Sequence, residues 1–403
     1  MAKRENTLLT NKHILICSGQ SFDHHPELEN LRNNFCGIFA TSTDGLVTDA
    51  NTLIYLCGDI NSIAGTVRQF PSKAIYAIRE LSRNYDSHEG IQVIGLGCVP
   101  INIHGVGVLF RKLFEEDDYD QRIRDTHTLQ SLTESDKPNN ALRRGFYASR
   151  VKRTPNGTAS HLMRCSSNFD GPTKNFKPID EEIVTEVNRV TASFFEEPTE
   201  LNHILAQTYF NSAAGKAKIS PHSDKTEDMD PAGVIVFTSF YRWVNGKVQS
   251  KTDPFDVCYR TSKGAHKETS VLTTLHFKLK DCVKDDSLVK EFSVILYPNS
   301  VFIIPLSTNR LYVHETRPSV LPFDKIPVRT SYVIKCSTTE ALYKDGTVRI
   351  TQKSPWQKLE PMTRADLTQL RTLYFHENTT DQYMDYPFIG FSANSGDYLE
   401  PEV

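Results

Sequence analysis

His222-Ser223-Asp224 sets an imidazole and a carboxylate two residues apart. At the end of an extended strand that spacing turns both side chains to the same side of the chain. A second histidine brought from elsewhere completes a two-histidine, one-carboxylate set with its opposite face open, the donor set suited to a mononuclear Fe(II) centre. His314, closing Asn309-Arg310-Leu311-Tyr312-Val313-His314, is the candidate, and His266 and His276 are its rivals. His-x-Asp is also a common hydrogen-bonded surface pair, so the elements around it decide the reading.

Those elements read as short strands. Lys218-Ile219-Ser220 leads through Pro221 into the triplet, and Val234-Ile235-Val236-Phe237 follows it. Residues 204–210, 271–277, 292–296, 301–304 and 328–335 have the same apolar, turn-bounded character, and Pro298-Asn299-Ser300 predicts a hairpin between the third and fourth of these. Many short strands joined by turns predict an antiparallel double-sheet jelly roll. Residues 180–195 carry Ile183, Val184, Val187, Val190 and Phe194 at helical spacing, with acids at the N-terminal end to suit the helix dipole.

Ahead of this core, residues 1–120 predict an α/β lobe. Strands are expected at 13–17, 35–40, 53–57 and 91–99, and an amphipathic helix over 72–81. Gly95-x-Gly97 lacks the third glycine of a dinucleotide fingerprint, and His24-His25 reads as a solvated pair. Residues 121–141 are polar and read as a linker, 142–345 as the core, and 346–403 as a tail. The tail holds a helix over 363–374 and an aromatic, acidic remainder that either wraps the core or binds a partner.

The approach to the core is basic. Arg143, Arg144, Arg150, Lys152 and Arg153 cluster with Phe146 and Tyr147 among them, a mixture suited to phosphate contact and base stacking. Arg150, Arg153 and Tyr147 are the candidate contacts to a nucleic-acid substrate, against the plainer reading of a solvated face. The net charge of −3 argues against a general polyanion binder but leaves room for a local groove. Eight scattered cysteines without a CxxC pair read as buried thiols in a reducing compartment. No secretory or membrane-spanning stretch is evident, so a cytoplasmic or nuclear location is expected.

Four blocks, in order, resemble the AlkB-like branch of the 2-oxoglutarate/Fe(II)-dependent dioxygenases. They are Tyr209 with Gly215-x-x-Lys218-Ile219-Ser220-x-His222-x-Asp224-Lys225; Asn299-Ser300-Val301-Phe302-Ile303-Ile304; the segment ending at His314; and Pro327-Val328-Arg329-Thr330-Ser331-Tyr332-Val333-Ile334-Lys335. The resemblance implies an α+β chain with a double-stranded β-helix core. It implies Fe(II) on His222, Asp224 and His314, with three positions left for 2-oxoglutarate and O2. Arg329 would hold the far carboxylate of 2-oxoglutarate, assisted by Tyr209 and Gln207, with Lys335 at the inner end of the site. The products would be succinate, CO2 and an oxidised substrate, here a methylated nucleic-acid base. Gln207 stands where the family has Asn, Lys335 where it has a second arginine, and the interval from Asp224 to His314 is long and includes Lys247, Lys251, Lys263 and Lys267. That interval reads as a substrate-side insertion or an exposed hairpin. Hydroxylation of a protein side chain or small molecule is the alternative, and an inactive jelly roll used for binding is a third.

Overall fold

The computed structural model describes residues 8, 11–18, 25–132, 142–164, 168–197, 199–243, 247–260, 268–352 and 355–403. The lobe holds β1 (His13–Ser18), α1 (Pro26–Asn34), β2 (Ile38–Ala40), β3 (Leu53–Asp59), α2 (Ile60–Val67), β4 (Ala74–Arg83) and β5 (Gln92–Ile94). Its five strands form a parallel sheet in the order β2-β1-β3-β4-β5. Both faces are buried, as crossover helices require: Ile14, Ile16, Ile54 and Leu56 pack on one side, Leu15, Tyr55 and Cys57 on the other.

The helix expected over 72–81 is instead strand β4. Ile75 and Ala77 join one core and Ile78 the other, and a register shift against β3 between Leu56 and Gly58 returns Leu81 to the side of Ile78. The bulge changes the side-chain parity, and that change produced the helix-like spacing. Likewise only Ile38–Ala40 of the stretch 35–40 is strand, because Phe35 closes α1. Gly97 serves packing: a Cβ there would meet Lys112 Cβ at 2.6 Å.

β6 (Ile101–Ile103) and β7 (Gly107–Phe110) leave the lobe for the largest sheet. Part of the expected linker is α3 (Tyr119–Thr126), which buries Tyr119, Asp120 and Ile123 and receives a 2.6 Å hydrogen bond from Thr330 onto Asp120. Two apolar residues four apart, with one satisfied acid, dock this short helix, too few to mark it in a polar sequence. Residues 133–141 of that linker lie outside the described residues.

After β8 (Gln130–Ser131) come β9 (Arg143–Ser149), β10 (Lys152–Thr154), β11 (Gly157–Leu162), β12 (Lys174–Asn175), α4 (Pro178–Thr191) and β13 (His203–Tyr209). β14 (Asn211–Ser212), β15 (Gly215–Lys216), β16 (Ile219–His222) and β17 (Val234–Arg242) follow. The long interval then folds as β18 (Lys247–Gln249), β19 (Val257–Arg260) and β20 (Glu268–Ser270), a small antiparallel sheet of its own. Lys263, Lys267 and His266 lie outside the described residues. The chain continues through β21 (Thr274–Leu279), β22 (Glu291–Ile295), β23 (Ser300–Pro305), α5 (Leu306–Leu311), β24 (Tyr312–Arg317) and β25 (Val328–Lys335). It ends with β26 (Thr339–Lys344), β27 (Thr347–Thr351), β28 (Gln357–Lys358) and α6 (Arg364–Thr379).

Two sheets position the site. The larger runs β12-β9-β13-β25-β17-β23-β7-β6, antiparallel apart from the β12–β9 pair, and the smaller runs β16-β24-β21-β22. They face each other across an apolar interior in which Phe277 of β21 meets Phe302 of β23, ring centroids 5.9 Å apart. On the opposite face of the larger sheet, Ile204, Ala206, Val236, Tyr332 and Ile334 pack against Ile183, Val184 and Val187 of α4. Pro178 and the Asp180 carboxylate, which accepts from the Lys177 amide, start that helix, and Tyr332 donates to Asp180 at 2.8 Å.

β22 and β23 do not form the expected hairpin. β22 pairs with β21 in the smaller sheet and β23 with β17 and β7 in the larger. The turn between them crosses from one sheet to the other through Asn299, whose φ of 61° is left-handed. A local turn signal is the same for both outcomes. β10, β11 and β26–β28 make a separate five-stranded sheet, and the tail wraps the core, with Ser392 donating to the Arg164 carbonyl and Lys174 paired to Glu402. Among the described residues no helix is long and apolar enough to cross a membrane, and the described cysteines are free thiols.

Candidate metal and cosubstrate site

β16 ends on His222, which lies directly across from His314 on β24. The bulge between Ile219 and His222 re-aims the end of β16, a common device beside functional sites. His222, Asp224 and His314 each offer a ligand atom within 4.8 Å of the others. His222 Nε2 is 3.4 Å and His314 Nε2 4.0 Å from Asp224 Oδ1. His222 Nδ1 donates to the Ser220 carbonyl at 2.9 Å, which leaves its Nε2 as the lone-pair nitrogen.

The electrostatics suit a cation. Burial lowers the His314 pKa to about 3, with His222 adding to the effect, so the ring is neutral and able to ligate. Burial by itself would raise the Asp224 carboxyl, but Lys335, His222 and His314 hold it well below the usual carboxylate range. His314 Nδ1 and Asp224 Oδ2 are buried without hydrogen-bond partners. Lys335 Nζ is nonetheless 2.9 Å from Asp224 Oδ2, an ion pair lacking hydrogen-bond angles.

Asn309 secures the carboxylate's backbone from both sides: its Oδ1 accepts from the Asp224 amide at 2.7 Å and its Nδ2 donates to the Asp224 carbonyl at 2.8 Å. Ser223 Oγ donates to the Tyr312 carbonyl at 3.1 Å. Asn309 stood inside the block that delivers His314, yet nothing in its spacing revealed this role. The rival His276 is engaged elsewhere, by Ser293 and Glu291.

The second half of the site is built by strand parity. Arg329, Ser331 and Val333 of β25 point into the same cavity as Leu205, Gln207 and Tyr209 of β13 and Phe237 of β17. The cavity measures about 220 Å³ and includes His222, Asp224 and His314 in its wall. This is below the range of about 300–1,000 Å³ usual for a drug-sized ligand. It suits a small molecule, and the partly exposed cations Arg143 and Lys225 are among its lining residues.

Arg329 is 3 % exposed, lies 4.1 Å from the Tyr209 ring centroid and has a 3.3 Å contact from Nη1 to Ser239. Its Nε has no partner. A buried guanidinium costs several kcal/mol, on the order of 3–5, unless an anion compensates, and one long hydrogen bond is too little. Tyr209 donates its hydroxyl proton to Gln207 Oε1 at 2.8 Å, so these two form one unit beside Arg329. Lys335 faces the other end, six residues and about 20 Å along β25 from Arg329, where it contacts Asp224. Lys335, expected among the cosubstrate-binding residues at the inner end of the site, here pairs with the Asp224 carboxylate.

The expected substrate contacts are not gathered here. Tyr147 is 3 % exposed, packed edge-on against Phe169. Arg150 pairs with Glu181 at 2.8 Å and Glu200 at 2.6 Å. Arg153 is exposed on β10, which belongs to the separate five-stranded sheet. The cause is register: β9 runs antiparallel to β13, so Arg143 lies beside Tyr209 at the cavity while Ser149, next to Arg150, lies beside His203 at the far end. A linear cluster of cations was divided between the two ends of one strand.

No family model matches the sequence, and no curated protein matches it. Among solved structures, OsALKBH1 is similar at 14 % identity over 57 % of this chain and 96 % of its own, with a TM-score of 0.30. SnoN, a non-haem α-ketoglutarate-dependent epimerase from nogalamycin biosynthesis, is similar at 10 % identity over 49 % of this chain and 70 % of its own, with a TM-score of 0.26. Likeness at that level carries no weight beside the geometry of the site.

Proposed function

We propose that this chain is an Fe(II)- and 2-oxoglutarate-dependent dioxygenase with a jelly-roll core, acting on a methylated nucleic-acid base. The observation that carries the chemistry is one small cavity with a His222–Asp224–His314 donor set in its wall and a buried, under-partnered Arg329 facing it. His222, Asp224 and His314 would hold the metal, and Arg329 the far carboxylate of the cosubstrate. Bound there, iron with 2-oxoglutarate and O2 supplies oxidative decarboxylation coupled to oxidation of a substrate C–H bond.

The chain's own residues prepare that chemistry. The Ser220 carbonyl orients the His222 ring, Asn309 holds the backbone of Asp224, and Lys335 keeps its carboxylate ionised. Leu205, Phe237, Leu275, Leu296 and Val333 line the cavity with apolar surface, which limits water at the reacting centre. The substrate class rests on Arg143 and Lys225, partly exposed cations lining the cavity, with Lys225 also resting over the Tyr374 ring, whereas Arg150 and Tyr147 do not line it. That withdrawal, with the net charge of −3, supports a protein or small-molecule substrate as the second reading.

The test is incubation with Fe(II), 2-oxoglutarate and a pool of methylated oligonucleotides, following succinate and oligonucleotide mass. Succinate together with a mass change is expected, and His222→Ala should abolish both. Succinate without a mass change moves the substrate to proteins or metabolites. No succinate under any condition, or full activity in H222A, overturns the oxygenase assignment.

A further inference from the structure

The segment that follows His222 is held by an element outside the two-sheet core. Asn378, near the end of α6, accepts a 2.7 Å hydrogen bond at Oδ1 from the amide of Ser223, the residue between His222 and Asp224. Its Nδ2 donates to the Tyr374 carbonyl one turn back at 2.8 Å, so the amide group is fixed in that orientation. The same helix grips the next residues in turn. Lys225 Nζ sits 3.8 Å from the Tyr374 ring centroid, Thr226 donates to Glu377 at 2.5 Å, and the Tyr374 hydroxyl donates to Glu227 at 3.1 Å. Lys280, beyond β21, ties the helix end by donating to the carbonyls of Glu377 and Thr380.

We infer that α6 is part of the metal centre and that Asn378 is a positioning residue fixing the spacing of His222 and Asp224. This rests on the reading of His222, Asp224 and His314 as metal ligands. The physical reason is that a strand end and the loop after it lack ladder hydrogen bonds to hold them. Here Asn309 supplies the restraint at Asp224 from one side, and Asn378 supplies it at Ser223 from the other. With the Ser223 amide released, the peptide between the two ligands can rotate, and rotation separates their donor atoms. Groups that orient metal ligands in this way affect affinity by roughly 10–100-fold. The C-terminal segment thereby couples its docking to metal binding.

The test uses the full-length chain with Co(II) as probe, without cosubstrate, following its d–d absorption. Asn378→Leu removes the acceptor at similar volume and should weaken Co(II) binding by at least roughly 10-fold. Asn378→Asp keeps an acceptor for the Ser223 amide and should bind Co(II) as tightly as the wild type or better. Equal affinity in wild type and N378L overturns the role of Asn378 while leaving the metal site standing. Absence of Co(II) binding in the wild type overturns the metal reading itself, and this inference with it. Should N378L fail to fold, Tyr374→Phe and Thr226→Val loosen the same helix by removing the hydroxyl donors to Glu227 and Glu377. Both are expected to weaken Co(II) binding roughly 3-fold or more, and unchanged affinity in both overturns the inference.

Discussion

Two buried arginines, Arg164 and Arg329, are treated in opposite ways. Arg164 is fully buried and its polar groups are met: Nε reaches Asp228 Oδ1 at 2.8 Å, Nη2 the same oxygen at 2.6 Å, and Nη1 the Ile389 carbonyl. Asp228 takes a further 2.5 Å bond from Thr339. Arg329, 3 % exposed, has a tyrosine face, one long bond to Ser239 and an Nε without a partner. Equal burial thus separates a structural knot, which ties the tail to the core, from a cation held ready for an anion. What distinguishes them is satisfaction, because burial without partners is expensive and persists where a ligand completes the set.

The sharpest break of this comparison is Asp228→Ala. It strands Arg164 and should cost about 3–5 kcal/mol of stability, read as a lowered denaturation midpoint, while 2-oxoglutarate affinity of the folded protein stays the same. Arg329→Ala should do the reverse. Loss of a buried, bidentate charge contact is expected to weaken 2-oxoglutarate by roughly 100-fold, about 2–4 kcal/mol, with stability unchanged or improved. Calorimetry and melting on both variants check the pair, and a large stability loss in R329A would falsify its assignment as a ligand-binding cation.

A smaller effect separates the knot and the tail by pH. Burial raises Glu377 to about 7, only partly opposed by its bonds to Thr226 and Tyr386, with Glu227 raising it and Lys280 lowering it. Burial likewise raises Asp397 to about 7. Both acids bind a proton more tightly in the folded chain than in the unfolded one. Their contribution is therefore fully present below the ordinary carboxyl range and is lost as pH rises through about 7, by up to about 3 kcal/mol for Glu377 and about 4 kcal/mol for Asp397. Protection factors across 364–403, corrected for the intrinsic exchange rate at each pH, should be larger at about pH 5 than at about pH 8, and the opposite trend would remove this account. The least effect belongs to Arg153→Glu: on an exposed strand outside the cavity it should change stability by less than about 0.5 kcal/mol and leave 2-oxoglutarate turnover intact. If it reduces oligonucleotide binding, the nucleic-acid surface extends onto the five-stranded sheet.

Much of the site was legible because its spacing is short or its strand is regular. His222 and Asp224 are two residues apart, and the alternation of 329, 331 and 333 sets one face of β25 whatever its neighbours are. The errors occurred where a local pattern has two tertiary outcomes. Pro298-Asn299-Ser300 turns the chain equally well within a sheet or between sheets. The bulge in β4 imitates a helix, and two apolar residues suffice for α3. Tyr147, Arg150 and Arg153 looked alike as a basic, aromatic run until register placed them apart.

By itself, then, the sequence determined which residues have the chemistry for a metal and an anion, and which strands alternate to present them. Only the tertiary structure decided that His314 lies across from His222, that Lys335 meets Asp224, that Arg329 Nε is buried without a hydrogen-bond partner, and that Asn378 holds the residue between two candidate ligands. Ligand spacing and strand alternation are local and periodic, so a linear string carries them. Register, sheet choice and the docking of a helix 155 residues away in the chain depend on which surfaces bury each other, and that is settled by the whole chain at once.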